Sequence, residues 1–222
     1  MRVVILGTGT DVGKTYVTAC LGRTLRGHGL ESVLALKPIE SGVAPGDLGD
    51  AGIIATAAGH EAVLSSWRFR AAVSPHLAAR EQNVVLDCAE IGTWVRSQEA
   101  KRKPDVSLVE LAGGAFSPLG VGVANVDLAL ALEPSVWLLV APDSLGALHD
   151  LTATLRAMPR APDAVLLSAC RTPDQSSGTN AAELARLGVV DVLEVVAADA
   201  NACEVAADWL LRHQPYKSTQ KC

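Results

Sequence analysis

A glycine-rich loop that ends in a Lys-Thr pair contains the clearest chemistry in this sequence. Residues 7–15 read Gly-Thr-Gly-Thr-Asp-Val-Gly-Lys-Thr, between the apolar run 3–6 and an amphipathic segment over 16–27. The N–H groups of such a loop and the positive end of the following helix bind phosphate oxygens. Lys14 can reach the phosphates and Thr15 can hold Mg²⁺. The loop is one residue longer than the pattern G-x-x-x-x-G-K-[ST], because its first glycine stands one position too early.

Charged residues stand at the ends of two predicted strands, where parallel α/β sheets bind their ligands. Lys37 follows an apolar run and precedes a proline. It could stabilise charge on a transferring phosphoryl group or a substrate carboxylate, although a solvated surface lysine is the alternative. Glu110 ends another apolar run and precedes Gly113 and Gly114. A carboxylate at such a position fits a Mg²⁺ ligand, since a cation offsets its desolvation; a helix cap or a solvated glutamate is the alternative.

A loop over residues 43–50, rich in Gly, Pro and Asp, offers further carboxylates. Magnesium in phosphoryl-transfer sites needs one or two carboxylates beside the phosphate oxygens. Asp50 begins a helical segment, so it could be a metal ligand or an N-cap. Asp47 stays open as an alternative ligand.

These residues need a framework of alternating strands and helices. The predicted strands are 2–6, 32–37, 105–110, 136–141, 163–168 and 189–195. The predicted helices are 14–27, 50–58, 76–82, 87–100, 123–132, 146–157, 178–187 and 201–213. This alternation predicts an α/β fold with a mostly parallel sheet and helices on both faces, a three-layer sandwich. The phosphate loop after the first strand makes it the P-loop NTPase type. We expect one domain over 1–212 and a polar, poorly ordered tail over 213–222.

The composition narrows the classes of function. The 222 residues are 49% hydrophobic and carry a formal net charge of −5, without a basic run, which argues against nucleic acid as a partner. No run reaches the roughly 18 apolar residues of a membrane span. The five cysteines are dispersed and form no C-x-x-C pair. With no basic, apolar leader at the start, we expect a cytoplasmic protein with free thiols.

The motifs, taken in chain order, resemble those of the dethiobiotin synthetase family. The resemblance covers residues 2–158 and depends on GTGTDVGKT, KPIESG, the aspartate at position 50, SPHLAA, VELAGG and SLGALHD. The longer phosphate loop is itself part of the family pattern. The resemblance implies an ATP- and Mg²⁺-dependent ligase that carboxylates 7,8-diaminopelargonic acid with CO₂ or bicarbonate. The reaction would pass through a carbamate and a carbamic-phosphoric anhydride before the ureido ring closes.

The resemblance also implies roles for individual residues and a homodimeric assembly. The catalytic residues would be Lys37, Lys14 and Thr10. The ligands of Mg²⁺ would be Thr15, Asp50 and Glu110. ATP and its metal would contact Asp11, Val12, Gly13, Lys14, Thr15, Tyr16, Asp50, Glu110 and Gly113. The diamine or its carbamate would contact Ser41, Lys37, Thr10 and Gly114.

The chain departs from the family pattern at three places. Leu111 stands where the family commonly has glycine. Residues 167–170, Leu-Ser-Ala-Cys, replace an Asn-Asp pair that reads adenine, and residues 195–199 replace a proline-rich nucleotide segment. Two alternative functions stay open. The chain could be a P-loop NTPase that works as a switch, or a non-catalytic relative that binds a dicarboxylate or a nucleotide.

Overall fold

The computed structural model describes residues 1–170, 172–189, 191–195 and 202–213. The strands are β1 (Arg2–Gly7), β2 (Val33–Leu36), β3 (Ile39–Ser41), β4 (Trp67–Phe69), β5 (Val106–Glu110), β6 (Pro118–Gly120), β7 (Val123–Ala124), β8 (Val136–Pro142), β9 (Ala164–Ser168) and β10 (Val192–Val195). The helices are α1 (Lys14–Gly27), α2 (Gly49–Ala58), α3 (Pro75–Glu81), α4 (Cys88–Arg102), α5 (Asn125–Ala131), α6 (Ala147–Ala157), α7 (Asn180–Arg186) and α8 (Glu204–Arg212).

Six strands form a central sheet in the order β10-β9-β8-β1-β5-β2, and every pairing within it is parallel. The registers of β1, β5 and β2 decide which residues meet at the carboxyl edge. Ile5 pairs with Glu110, and Leu36 pairs with Val109. Lys37, one residue after Leu36, therefore lies level with Glu110 and beside the start of the phosphate loop.

Helices cover both faces of the sheet. One apolar cluster joins the sheet to α1, α2 and α8, with Val17, Leu21, Ile54 and Leu210 among its buried members. The other cluster joins the opposite face to helices α3 to α7. The Val/Leu-rich strands are buried on both sides, which is the pattern that helices on both faces require. None of the helices in the described ranges is both long and apolar enough to cross a membrane.

The predicted fold class is confirmed, and each predicted strand and helix is present with ends shifted by a few residues. The last strand, predicted from residue 189, begins at Val192, and residue 190 lies outside the described part. The pattern did not predict β3, β4, β6 and β7, which are two or three residues long and show no periodicity. Most of the predicted tail, residues 214–222, lies outside the described residues.

Candidate active site at the phosphate loop

Two glycines give the phosphate loop its shape. Gly13 is the N-cap of α1 and has a φ of 94°, in the left-handed region that other residues rarely adopt. Gly7 ends β1, and a Cβ atom there would lie 2.8 Å from Val12 Cγ2 and 2.9 Å from Lys14 Nζ. The loop therefore folds back over the end of its own strand, and glycine is needed at both of its ends.

Lys14 lies at the first position of α1 with its side chain buried against the loop. Its Nζ donates to the carbonyl oxygen of Gly9 at 2.7 Å. Burial lowers the pKa of Lys14 to about 8, because the ammonium gives up water for few compensating charges. A bound phosphate would supply a negative charge beside this ammonium and so favour its charged form.

An oxygen cluster lies beside the loop; it consists of Thr15 Oγ1 and the carboxylates of Asp50 and Glu110. Thr15 Oγ1 lies 3.1 Å from Asp50 Oδ2 and 2.8 Å from Glu110 Oε1. The three residues come from α1, α2 and β5, so the fold brings together positions up to 95 residues apart in sequence.

The ammonium of Lys37 lies against the oxygen cluster. Its Nζ donates to Glu110 Oε1 at 2.7 Å and forms an ion pair with Asp50. Burial alone would lower the pKa of Lys37, but the attraction of Glu110 and Asp50 outweighs it and the pKa is raised. Burial would likewise raise the pKa of Asp50, whereas Lys37 and the Thr15 hydroxyl hold it below its ordinary value. Both groups are therefore charged at neutral pH.

The oxygen cluster has the composition of a Mg²⁺ site. Glu110 is fully buried, and its Oε2 has no hydrogen-bond partner among the described residues. A buried carboxylate oxygen without a partner is costly, and a hard cation satisfies it. Carboxylates and a hydroxyl are the ligands that Mg²⁺ prefers, so Thr15, Asp50 and Glu110 fit this metal.

The structure distinguishes Asp50 from Asp47. Asp50 lies in the first turn of α2 and joins the oxygen cluster, while the N-cap of that helix is Leu48. Asp47 is exposed, and its carboxylate accepts from the N–H of Gly49 at 3.0 Å. Of the two carboxylates, Asp50 is therefore the one that could reach a metal. It is not the N-cap of α2, which was the alternative role that the sequence allowed for it.

Gly113 and Gly114 lie beside the tip of the phosphate loop. A Cβ atom on Gly114 would lie 3.1 Å from Gly9 Cα, and one on Gly113 would lie 3.8 Å from Thr10 Oγ1. The segment after β5 thus lies so close to the phosphate loop that the backbones of both could contact the same ligand. The exposed Thr10 side chain stands on this shared border.

The remaining predicted residues surround this centre less closely. Asp11 is exposed with a φ of 57°, and the Tyr16 ring is exposed on the first turn of α1. Val12 is buried in the core, so only its backbone can face a nucleotide. Ser41 ends β3, half-buried and outside the oxygen cluster.

The departures from the family pattern have clear positions. Leu111 is buried in the core, and its N–H extends the ladder by donating to Ile5 O at 3.0 Å. Its bulk therefore packs into the core rather than among the oxygens. Ser168 is 3% exposed, and a Cβ atom on Gly13 would overlap its hydroxyl. Of the segment 195–199, residues 196–199 lie outside the described part.

Three polar residues near the site were missed from the sequence. Glu40 and Arg68 form an ion pair beside α2, with Arg68 Nε 3.2 Å from Glu40 Oε2. Asn125 is fully buried and its Nδ2 donates to the carbonyl of Gly114 at 2.9 Å, which holds the glycine segment in place. The position of Glu40 between Lys37 and Ser41 was a usable signal; Arg68 and Asn125 have none in the local sequence.

Comparisons with known proteins show which family the chain belongs to. The AAA domain family matches residues 1–200. The ATP-dependent dethiobiotin synthetase BioD of Rhodococcus jostii strain RHA1 is 42% identical over 159 residues, which are 70% of this chain and 67% of that protein. The BioD of Anaeromyxobacter sp. strain Fw109-5 is 40% identical over 191 residues, 82% of this chain and 83% of that protein.

Solved structures of other proteins have a fold similar to that of this chain. The signal recognition particle receptor FtsY from Elizabethkingia anophelis aligns with a TM-score of 0.58 at 16% identity, covering 90% of this chain and 60% of that one. The chloroplast FtsY of Physcomitrella patens gives a TM-score of 0.59 at 14% identity, covering 94% of this chain and 64% of that one. At such identities the likeness concerns the three-layer fold alone. The family match and the BioD relatives, by contrast, extend over most of the sequence, and the chain belongs to the family of ATP-dependent dethiobiotin synthetases.

Proposed function

We propose that this chain is an ATP- and Mg²⁺-dependent ligase that converts 7,8-diaminopelargonic acid and CO₂ into dethiobiotin. The observation that supports this most strongly is the contact of Lys37 with Thr15, Asp50 and Glu110 at the mouth of the phosphate loop. Oxygens that could hold a cation and a buried ammonium would thus lie close to the terminal phosphate of a bound nucleotide. The names of the BioD relatives contain the nucleotide ATP and the product dethiobiotin, and the family resemblance implies the diamine as substrate.

The proposed chemistry has three steps. One amine of the diamine attacks CO₂, forming an N–C bond and a carbamate, and its proton goes to solvent. A carbamate oxygen then attacks the γ-phosphorus of ATP, the bond to the bridging oxygen breaks, and ADP leaves. The second amine attacks the carbonyl carbon of the resulting mixed anhydride. The ureido ring closes as the C–O bond to phosphate breaks, inorganic phosphate is released, and the proton of the second amine goes to solvent.

The residues of this chain would act by positioning and by neutralising charge. The N–H groups of the loop and the start of α1 would bind the phosphates, with Lys14 against them. Lys37 would stabilise the negative charge that passes between the carbamate and the γ-phosphate. Thr10, Ser41 and Gly114 would contact the diamine or its carbamate. None of these steps requires a covalent bond to the protein.

The metal would be held by Thr15, Asp50 and Glu110. When bound, Mg²⁺ supplies positive charge to the phosphate oxygens of the nucleotide. ATP as the nucleotide agrees with the names of the relatives, and the metal is supported by the composition of the oxygen cluster. A homodimer and a cytoplasmic location remain predictions from the family resemblance.

The test is a complete reaction with diaminopelargonate, bicarbonate, Mg²⁺ and ATP, assayed for ADP and for the cyclic urea by mass spectrometry. We expect equal amounts of both products from the wild-type chain and almost none from Lys14→Ala. Lys101→Ala, which removes an exposed lysine on α4, is the matched control and should behave as wild type. A wild-type chain no more active than Lys14→Ala would overturn the proposal.

The same assay, together with calorimetry, separates the two alternatives. A P-loop NTPase switch would hydrolyse ATP without the diamine and form no urea. A non-catalytic relative would bind nucleotide or dicarboxylate in calorimetry and turn over neither.

A further inference from the structure

We propose that Glu40, held by Arg68, is a positioning residue that fixes Asp50 for metal binding. This inference rests on the proposed function, because Asp50 is a metal ligand only under that proposal. The side-chain hydrogen bonds of Glu40 go to Arg68 and to the backbone of Asp50, so its effect would pass through the first turn of α2.

Glu40 is a buried charge with two partners. It lies at the centre of β3, is 3% exposed, and pairs in register with Arg68 on β4. Arg68 Nε donates to its Oε2 at 3.2 Å, which neutralises the carboxylate. Its other oxygen, Oε1, accepts the backbone N–H of Asp50. One carboxylate therefore joins the β3–β4 pair to the residue that enters the oxygen cluster.

This contact replaces a missing helix cap. The first N–H groups of a helix have no partner within it, and Leu48, the N-cap of α2, offers no side-chain acceptor. Glu40 supplies the acceptor from outside the helix, and its negative charge is favourable at a helix N-terminus. The fit is close, since a Cβ atom on Gly49 would overlap the Glu40 carboxylate.

Arg68 holds the same turn at a second point. Its Nη2 donates to the carbonyl oxygen of Asp47 at 2.9 Å. Arg68 and Glu40 thus fix the chain on both sides of Gly49, immediately before Asp50. Since the Asp50 carboxylate reaches Thr15 and Lys37 from this turn, a displaced turn would move one ligand, while Glu110 stays fixed by the central sheet.

Binding of ADP as a function of Mg²⁺ concentration, measured by calorimetry, tests this without requiring turnover. We compare Glu40→Ala, Glu40→Gln and Glu99→Ala with wild type. Glu99 is the control, since it also pairs with an arginine, Arg2, whose Nε donates to it at 2.9 Å, but at the amino end of β1, away from the oxygen cluster. Asp50→Asn shows how the Mg²⁺ dependence of ADP binding changes when the metal-binding carboxylate itself is lost.

We expect Glu40→Ala to raise the Mg²⁺ concentration for half-maximal ADP binding about 10-fold, the lower end of the effect of losing an orienting partner. Glu40→Gln keeps an oxygen for the Asp50 N–H and should lie closer to wild type than to Glu40→Ala. Glu99→Ala should leave the Mg²⁺ dependence unchanged even if it lowers the melting temperature. Hydrogen exchange at the Asp50 amide should be faster in Glu40→Ala.

Two results would overturn the inference. One is a Mg²⁺ dependence in Glu40→Ala that matches that of Glu99→Ala, which would leave Glu40 with a merely structural role. The other is an unchanged Mg²⁺ dependence in Asp50→Asn, which would leave no ligand to position. If the wild type binds ADP with Mg²⁺ but forms no dethiobiotin, the proposed ligase fails, and the binding data still decide the role of Glu40.

Discussion

The ammonium of Lys37 contacts the buried carboxylate of Glu110, with Nζ 2.7 Å from Oε1. Lys37 also pairs with Asp50, so one cation serves both carboxylates of the proposed metal site. This contact keeps Glu110 from being an uncompensated buried charge. We expect a metal held by the two carboxylates to take over this role and to leave the Lys37 ammonium available to the substrate.

The first prediction concerns Lys37→Met. Removing the ammonium leaves Glu110 unpaired, and breaking a buried pair costs about 3–5 kcal/mol. Thermal unfolding without metal should therefore show that Lys37→Met is much less stable than wild type. Added Mg²⁺ should raise the stability of Lys37→Met more than it raises that of wild type. The kcat should fall by about 10²–10³, as for loss of one preorganised donor. The exposed-site control is Lys101→Met; a Lys37→Met chain as stable and active as this control would refute the assignment.

The second prediction concerns Leu111, which departs from the family pattern. Because its side chain is buried in the core, Leu111→Ala should lower the free energy of unfolding by about 2–5 kcal/mol. Its kcat at a temperature where both chains are folded should stay close to that of wild type, since the side chain is not among the oxygens. Denaturant titration and steady-state kinetics measure the two effects. The exposed Leu145→Ala serves as control, and a kcat that rises or collapses in Leu111→Ala would show that Leu111 acts on the site itself.

The third prediction is a pH dependence of stability at His60. Its Nε2 accepts the N–H of Ala35, on edge strand β2, at 3.0 Å, so the folded state needs the neutral imidazole. Burial, with the charge of Arg102 nearby, lowers the pKa of His60 below its ordinary 6.5. Between these two pKa values the unfolded chain binds more protons than the folded chain. Stability from this group is therefore complete above about pH 6.5 and is lost as the pH falls through the folded pKa.

Melting temperatures between pH 5 and 7.5 measure this effect. One hydrogen bond is worth about 1 kcal/mol, which shifts the melting temperature of a chain of this size by about 2–4 °C. As the pH falls from 7.5 to 5, the melting temperature of His60→Gln, which cannot be protonated, should fall less than that of wild type. The exposed-site control His149→Gln should show the same dependence of melting temperature on pH as wild type. Parallel slopes in wild type and His60→Gln would contradict the assignment.

The fourth prediction concerns the nucleotide base. Ser168 ends β9 beside Gly13, within the stretch 167–170 where the family resemblance leads us to expect an Asn-Asp pair that binds adenine. Loss of one base-reading side chain removes about 1–3 kcal/mol of discrimination. Comparing kcat/KM for ATP, GTP and CTP should therefore show a preference for ATP that is about 10–100-fold weaker than in a relative with the asparagine. An equally strong preference for ATP would mean that other groups read the base.

The fold was predictable because its elements are long and regular. The apolar runs of β1, β5 and β8 predicted buried parallel strands, and the carboxyl-edge rule then placed Lys37 and Glu110 near the loop. The register that sets Leu36 against Val109 turns this nearness into direct contact, and no local pattern encodes a register.

The supporting residues were harder to predict, because their roles depend on distant partners. Glu40 meets Arg68 because β3 pairs with β4, two strands too short to leave a periodic signal. The ambiguity between Asp47 and Asp50 had the same origin. Both are loop carboxylates in sequence, and only the path of α2 shows which one faces Thr15.

The route of the oxygen atoms from CO₂ distinguishes the proposed ligase from any simple NTPase. The reaction is started with freshly added ¹⁸O-bicarbonate in unlabelled water, and phosphate and urea are analysed by mass spectrometry before the label exchanges. If ATP phosphorylates a carbamate, each phosphate released will carry one ¹⁸O, and the ureido oxygen of the product will carry another. Unlabelled phosphate, formed by attack of water on ATP, would contradict the proposed function.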